Sequence, residues 1–260
     1  MRLLEILHFA VNYICMIFDD IKKFIFPSRC VLCDKVLPFG HNLNNEFLCD
    51  ECKDKFEFIK EPTCKKCGAM IRDEEETYCI RCEGNMHENF EYGFGLLRYN
   101  DFVKESLHKI KYNGRKEYID FYGKMIARSF KEKFSEIDGE YLVPVPIHHK
   151  RLVERNYNQA AVLAHSISKE LMRCGIDLPV NEDIIFRTKN TKVLNKLDSA
   201  DRGKELSNAF YADDLTGIEK VIVVDDIYTT GSTIDTIAKT LKDKGVREVY
   251  FVAITVVDNL

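Results

Sequence analysis

The stretch "VIVVDDIYTTGSTIDTIAKTL", residues 221–241, decides the fold of this chain. It opens with a β-branched run, 221–224, that has no polar alternation and is typical of a strand buried on both faces of a parallel sheet. Apolar residues at helical spacing follow the polar loop: Ile234, Ile237, Ala238 and Leu241. They predict a helix, and a strand, short loop and helix in this order place ligands at the carboxyl end of a parallel sheet. We therefore predict an α/β fold, a parallel sheet flanked by helices.

The polar loop has the composition of an anion-binding site. Small hydroxyl side chains and one glycine form it: Thr229, Thr230, Gly231, Ser232 and Thr233. It lies where the start of a helix leaves backbone N–H groups unsatisfied and the helix dipole attracts negative charge. Asp225 and Asp226, just before the loop, would repel a second phosphate but can accept hydrogen bonds from hydroxyl groups. One phosphate beside a diol describes a ribose 5-phosphate.

Two other structures share parts of this pattern. An acidic strand end with an ordinary helix cap would carry the two aspartates, but not the whole continuation TTGST. The acidic pocket of a receiver domain needs several more strand–helix units after its aspartates, and only one further strand, 249–257, remains. The stretch therefore favours a phosphate site.

The segment "VVDDIYTTGST" resembles the binding loop for phosphoribosyl pyrophosphate (PRPP) in type I phosphoribosyltransferases. The resemblance implies PRPP as the ligand, bound together with magnesium. It also implies that Asp225 and Asp226 hold the ribose 2- and 3-hydroxyls, while the loop 229–233 cradles the 5-phosphate. The motif specifies a ligand and a fold rather than an acceptor substrate.

Eight of the ten cysteines form four C-x-x-C pairs: Cys30/Cys33, Cys49/Cys52, Cys64/Cys67 and Cys79/Cys82. A disulfide framework is one alternative to metal binding, and a redox pair is another, although four successive pairs make the redox role remote. The start of the chain does not have the pattern of a signal peptide, so we expect a cytoplasmic protein whose thiols stay reduced. Intervals of about 11 to 15 residues between successive pairs suit zinc ribbons in which four cysteines hold each ion tetrahedrally.

We therefore predict two structural zinc ions at sites with no open position for catalysis. Sequential pairing assigns one ion to Cys30, Cys33, Cys49 and Cys52, and the other to Cys64, Cys67, Cys79 and Cys82. Pairing between non-adjacent cysteine knuckles is the alternative that the spacing leaves open.

The remaining organisation follows from length and composition. A chain of 260 residues with 45% hydrophobic content and a formal net charge of −4 suits an α/β domain plus a small accessory domain, and gives no global sign of nucleic-acid binding. Residues 1–29 are apolar around a helix, but the uncharged run 6–18 is too short to span a bilayer. This helix either docks on the protein or offers a surface to a partner or a membrane interface. We predict three parts: the N-terminal helix (1–29), a double zinc ribbon (30–91) and a phosphoribosyltransferase-like domain (92–260).

Basic residues concentrate in the middle of the chain. A predicted strand containing "LVPVP" leads directly to Lys150, Arg151 and Arg155, and Lys111 lies in the earlier basic segment "HKIKYNGR". Such side chains can stabilise the charge that develops on a diphosphate leaving group. Solvent-exposed basic faces are the ordinary alternative.

The order of these parts resembles the ComF (ComFC) family from about residue 30 to residue 255. The resemblance rests on the paired four-cysteine ribbons, "HKIKYNGR", "LVPVPIHHKRLVERNYNQA", "RTKNTKVLNKLDSADRGKELSNAF" and the PRPP-type loop. It implies that the following positions face the loop: Lys111, Gly114, Arg115, Arg151, Arg155, Asn158 and Gln159. It also implies a role in the uptake or processing of single-stranded DNA in transformation, beside a helicase-like partner. The chain departs from the family pattern at 193–206, where a Gln and an Asn are missing.

Three functions are consistent with these motifs. The first is a transferase in which an acceptor displaces pyrophosphate from Mg²⁺-PRPP, with five catalytic candidates: Asp225, Asp226, Lys111, Arg151 and Arg155. The second is a non-catalytic sensor of PRPP or a nucleotide. The third is an assembly module that binds a helicase-like partner or single-stranded DNA.

Overall fold

The computed structural model describes residues 27–38, 47–84, 88–188 and 209–257. The chain divides into two compact units, Met1–Phe56 and Glu57–Leu260. Most of the predicted N-terminal helix and the departing segment 193–206 lie outside the described residues. Within the described ranges, no helix is long and apolar enough to cross a membrane.

The second unit is built on a four-stranded parallel sheet. Its strands are β1 (Gly93–Arg98), β2 (Tyr141–Pro144), β5 (Lys220–Tyr228) and β6 (Glu248–Val256), in the order β1-β6-β5-β2. A separate antiparallel pair consists of β3 (Phe186–Arg187) and β4 (Phe210–Tyr211). Because β5 has a strand on each side, the run 221–224 is fully buried, as its lack of polar alternation predicts.

Helices connect and cover these strands. They are α1 (Ile80–Gly84), α2 (Asp101–Tyr112), α3 (Lys116–Ser129), α4 (Lys131–Ile137), α5 (His149–Arg155), α6 (Gln159–Arg173) and α7 (Ser232–Lys242). Helix α6 packs on β2, β5 and α3, while α7 packs on β6 and β4. The predicted fold class, a parallel sheet flanked by helices, is confirmed.

Strand β5 extends beyond the apolar run 221–224 that predicted it. It continues through both aspartates to Tyr228, because Asp225, Ile227 and Tyr228 still pair with β6. On its other side, β2 ends at Pro144, and the last bond there runs from the Val145 N–H to the Val224 carbonyl at 2.9 Å. Residues 225–228, at the end of β5, are therefore paired with β6 but not with β2. The edge of β5 on the β2 side is open to other polar groups at this point.

The two cysteine pairs at 30/33 and 64/67 form equivalent turns. The N–H of Asp34 bonds to the Cys30 carbonyl at 2.8 Å, and the N–H of Gly68 bonds to the Cys64 carbonyl at 2.9 Å. Both residues have positive φ, 64° and 71°. Gly68 cannot carry a side chain, since a Cβ there would lie 2.7 Å from the Gly93 carbonyl oxygen on β1. The second ribbon thus packs directly on the edge strand of the sheet.

Candidate functional site

The phosphate-type loop joins the end of β5 to the start of α7. Gly231 adopts a left-handed conformation with φ of 83°, and the helix begins at Ser232. Glycine has no side chain with which to cap the helix, so the first N–H groups of α7 face the loop. The Thr230 and Ser232 hydroxyls lie 3.1 Å apart. Hydroxyls and helix N–H groups converge here in the way that suits an anion.

The two aspartates have different environments. Asp226 is buried, with 6% of its surface exposed, and forms an ion pair with Lys111. Burial raises its pKa, but the charge and hydrogen bond of Lys111, together with Asp225 and Arg155, outweigh burial and hold the Asp226 pKa below its ordinary value. Asp225 accepts a hydrogen bond from the Asp226 N–H at 2.8 Å. Burial and the neighbouring Asp226 charge raise the pKa of Asp225 well above its ordinary value.

Lys111 and Arg155 converge on the acidic strand end. Lys111 lies on the last turn of α2, and Arg155 is the last residue of α5. The Arg155 guanidinium donates to Gln159 Oε1 at 3.0 Å and lies 5.2 Å from the centre of the Tyr112 ring. Its charge also lowers the pKa of Asp226. The structure therefore brings three of the predicted site residues together, from segments that span 115 residues of the chain.

A second basic group includes a residue that the sequence analysis did not single out. Arg187, on β3, has its pKa lowered by burial and by the charge of Arg151, while Asp225 opposes both. Desolvation and the nearby Lys150 and Arg187 likewise lower the pKa of His148. Arg187 thus shares an electrostatic neighbourhood with Arg151 and Asp225. In the sequence, Arg187 is marked only as the first residue of the basic segment that begins "RTKNTK".

Other residues of the family-like segments support the local structure. Asn158 caps α6 by accepting from the Ala160 N–H at 3.1 Å, and its side-chain amide donates to the Val145 carbonyl at 3.0 Å. It therefore fastens the exit of β2 to the helix that follows. Gly114 has a φ of 69°, and Arg115 forms an ion pair with Glu117 at 3.6 Å.

The eight paired cysteines gather in two clusters that follow the sequential pairing: Cys30, Cys33, Cys49 and Cys52, and Cys64, Cys67, Cys79 and Cys82. In each cluster all four sulfurs lie within 4.8 Å of one another. The Sγ atoms of Cys33 and Cys49 are 3.7 Å apart, as are those of Cys67 and Cys79. A tetrahedral zinc site with Zn–S bonds of about 2.3 Å requires sulfur–sulfur distances of about 3.8 Å. Both donor sets fit zinc in number, chemistry and spacing.

Comparison with known proteins agrees with this geometry. The family model of a double zinc ribbon domain matches residues 21–83. Competence protein F of Haemophilus influenzae is 27% identical over 232 residues, which cover 86% of this chain and 95% of that protein. Competence protein ComFC of Bacillus subtilis is 28% identical over 83% of this chain and 89% of its own length. The DNA utilization protein YhgH of Escherichia coli is 24% identical over 84% of this chain and 92% of its own length.

Solved structures give weaker likenesses. A purine phosphoribosyltransferase from Pyrococcus horikoshii aligns with a TM-score of 0.31 and 16% identity, over 52% of this chain and 73% of that one. A hypoxanthine phosphoribosyltransferase from Trypanosoma cruzi aligns with a TM-score of 0.34 and 15% identity, over 55% and 76%.

The sheet, its flanking helices and the ribbons define a class: a double zinc-ribbon protein with a parallel α/β domain. Within that class, the relatives that match most of the chain are competence and DNA-utilization proteins. The predicted resemblance to the ComF (ComFC) family is confirmed by relatives that match most of the chain.

Proposed function

We propose that this protein binds Mg²⁺-PRPP at the carboxyl end of β5. The observation that carries the proposal is the meeting of Lys111 and Arg155 with Asp226 beside the loop 229–233. The loop offers N–H and hydroxyl donors to the 5-phosphate. Asp225 and Asp226 offer acceptors to the ribose diol, and the basic side chains offer charge to the diphosphate.

In the proposed reaction, an acceptor nucleophile attacks C1 of the ribose and the bond to the diphosphate oxygen breaks. The bonding electrons leave with the pyrophosphate, where negative charge develops. Lys111, Arg151 and Arg155 would stabilise that charge from fixed positions, so that little reorganisation is needed during the reaction. Magnesium, when bound, would neutralise part of the diphosphate charge. The chain's own carboxylates at 225 and 226 would orient the ribose through its hydroxyls.

We further propose that this chemistry serves the handling of single-stranded DNA in transformation. Relatives over most of the chain are named competence proteins or a DNA utilization protein, which motivates this role. The protein would act in the cytoplasm with a helicase-like partner. Two structural zinc ions would hold the ribbons, in a three-part chain (1–29, 30–91 and 92–260) whose last part binds PRPP.

A non-catalytic PRPP sensor is the second candidate. It is favoured by the segment 193–206, which lacks the Gln and Asn that the family pattern carries there. Incubation with Mg²⁺-PRPP and single candidate nucleobases separates the two functions. Pyrophosphate release that depends on an acceptor supports the transferase, whereas tight binding without release supports the sensor. A parent protein that binds no Mg²⁺-PRPP would contradict both.

A further inference from the structure

The second cysteine cluster reaches the phosphate loop through one arginine. Arg81 lies between Cys79 and Cys82 on α1, and its guanidinium Nη1 donates to the backbone carbonyl of Thr229. The same nitrogen donates to the Val257 carbonyl at 3.1 Å. Thr229 is the first residue of the loop, and Val257 follows the last residue of β6. One side chain from the ribbon therefore ties the loop to the strand beside it.

The segment that leaves the ribbon makes further contacts with the helix behind the loop. The backbone N–H and the side-chain amide of Asn89 donate to the two carboxylate oxygens of Asp235, at 3.1 and 2.9 Å. Asp235 lies in the first turn of α7. Glu91 forms an ion pair with Lys242, at the end of the same helix, at 2.7 Å. Both ends of α7 are thus fastened to residues 88–91.

Buried aromatic rings also connect the segment that leaves the ribbon with strands β5 and β6. The Phe90 ring meets Tyr228 and Phe251 edge-on, with ring centres 6.4 and 5.2 Å apart, and Tyr228 stacks on Phe251 at 4.5 Å. Tyr228 is the last residue of β5, directly before the loop. These rings belong to one buried cluster that also contains Cys64, Cys67 and Cys82. The sulfurs and the strand that carries the loop therefore share a core.

The Tyr228 hydroxyl is a further sign that the second cysteine cluster and β5 are connected. It is buried and has no hydrogen-bond partner within residues 27–38, 47–84, 88–188 and 209–257. Tyr228 belongs to the same buried cluster as Cys67 and Cys82. A phenol beside thiolates can donate to them, as groups around a metal site commonly donate to its ligands.

We propose that the second ribbon positions the phosphate loop, with Arg81 as the positioning residue, so that metal at Cys64, Cys67, Cys79 and Cys82 and an anion at the loop stabilise one another. The inference rests on the proposed function, because it assumes that PRPP is the anion that binds at the loop. Coupling of this kind is reciprocal: whatever factor the metal contributes to anion affinity, the anion contributes to metal affinity.

The first test needs no ligand. Amide hydrogen exchange at residues 229–233 is compared in the zinc-loaded full chain, Arg81→Met, Arg81→Lys and the control Arg72→Met, which removes an exposed arginine of the same ribbon. We expect exchange about tenfold faster in Arg81→Met, because a charge-assisted bond that holds the loop is lost. Arg81→Lys should restore part of the protection, and Arg72→Met should match the parent. Equal exchange in Arg81→Met and the parent would overturn the proposal.

The second test uses the unaltered protein. Zinc transfer to a chelator is followed with and without Mg²⁺-PRPP, and we expect the ligand to slow the loss of one of the two ions several-fold. Ligand binding that leaves both release rates unchanged would contradict the coupling. A parent that binds no Mg²⁺-PRPP would instead refute the proposed function, and the exchange comparison would still decide whether the ribbon positions the loop.

Discussion

Lys111 pairs with the buried carboxylate of Asp226, across 115 residues of chain. The lysine side chain is 19% exposed, and that of the aspartate 9%. This pair links the end of α2 to the end of β5, so it joins two segments that the family resemblance expects to face each other. It also keeps Asp226 ionised, which is the state that accepts hydrogen bonds from a diol.

The first prediction concerns the contribution of this pair to stability. Lys111→Met leaves the Asp226 charge buried without its partner, so we expect a loss of about 2–4 kcal/mol in the free energy of unfolding at pH 7. The double variant Lys111→Met/Asp226→Asn should recover part of the loss, with a coupling of about 1–3 kcal/mol in urea unfolding. Strictly additive costs of the two single changes would show that the ion pair contributes nothing.

The second prediction concerns Asp225. Its pKa is raised in the folded protein, mainly by burial and then by Asp226, so the folded state binds the proton more tightly than the unfolded state. Stability is therefore lost as pH rises from the unfolded pKa, near 4, through the folded pKa. Asp225→Asn removes this loss and should be more stable than the parent at pH 7, by about 1.4 kcal/mol for each unit of raised pKa.

The gain in Asp225→Asn should vanish below about pH 4, where both states of the parent are protonated. Urea unfolding at several pH values measures it. A variant less stable than the parent at pH 7 would contradict this prediction, because it would show that the Asp225 carboxylate stabilises the fold.

The third prediction concerns the metal. Plasma mass spectrometry should find about two zinc ions per chain, because each sulfur cluster supplies a complete tetrahedral donor set. Cys33→Ser and Cys67→Ser, one in each cluster, should each lower the count to about one. A fully folded protein with neither ion would contradict the assignment.

The fourth prediction concerns Arg187, whose charge interacts with the charges of Arg151 and Asp225. Arg187→Met should weaken the binding of inorganic pyrophosphate about tenfold, because a charge-assisted contact is lost. Arg247→Met is the matched control, since Arg247 is 73% exposed and pairs with Glu219 before the amino end of β6. Calorimetry measures both, and equal losses in the two variants would remove Arg187 from the site.

The sequence was sufficient for the parts of this account that depend on local pattern. The β-branched run of β5 and the spacing of α7 predicted the strand–loop–helix unit, and cysteine spacing predicted both clusters, because these signals lie within short segments. The family resemblance predicted that Lys111 and Arg155 face the loop, which no local pattern indicates.

Depth of burial could not be predicted in the same way. Nothing in the local pattern indicates that Asp226 is buried and paired with Lys111, because the strand beside it and the helix that carries Lys111 come from other parts of the chain. Arg81 carried no signal at all, since its partners are backbone carbonyls, and any residue type supplies a carbonyl. Contacts of this kind appear only once the chain is folded.

Calorimetry of Mg²⁺-PRPP against the parent and Asp225→Asn/Asp226→Asn tests most directly whether the two aspartates bind the ribose of PRPP. Asparagine keeps the size and one acceptor of each side chain while removing its charge. Each lost charge-assisted bond is worth about 1.5–3 kcal/mol, so the double variant should bind roughly 10²- to 10⁴-fold more weakly than the parent. Affinity within a few-fold of the parent, in a variant that still unfolds cooperatively, would contradict the account.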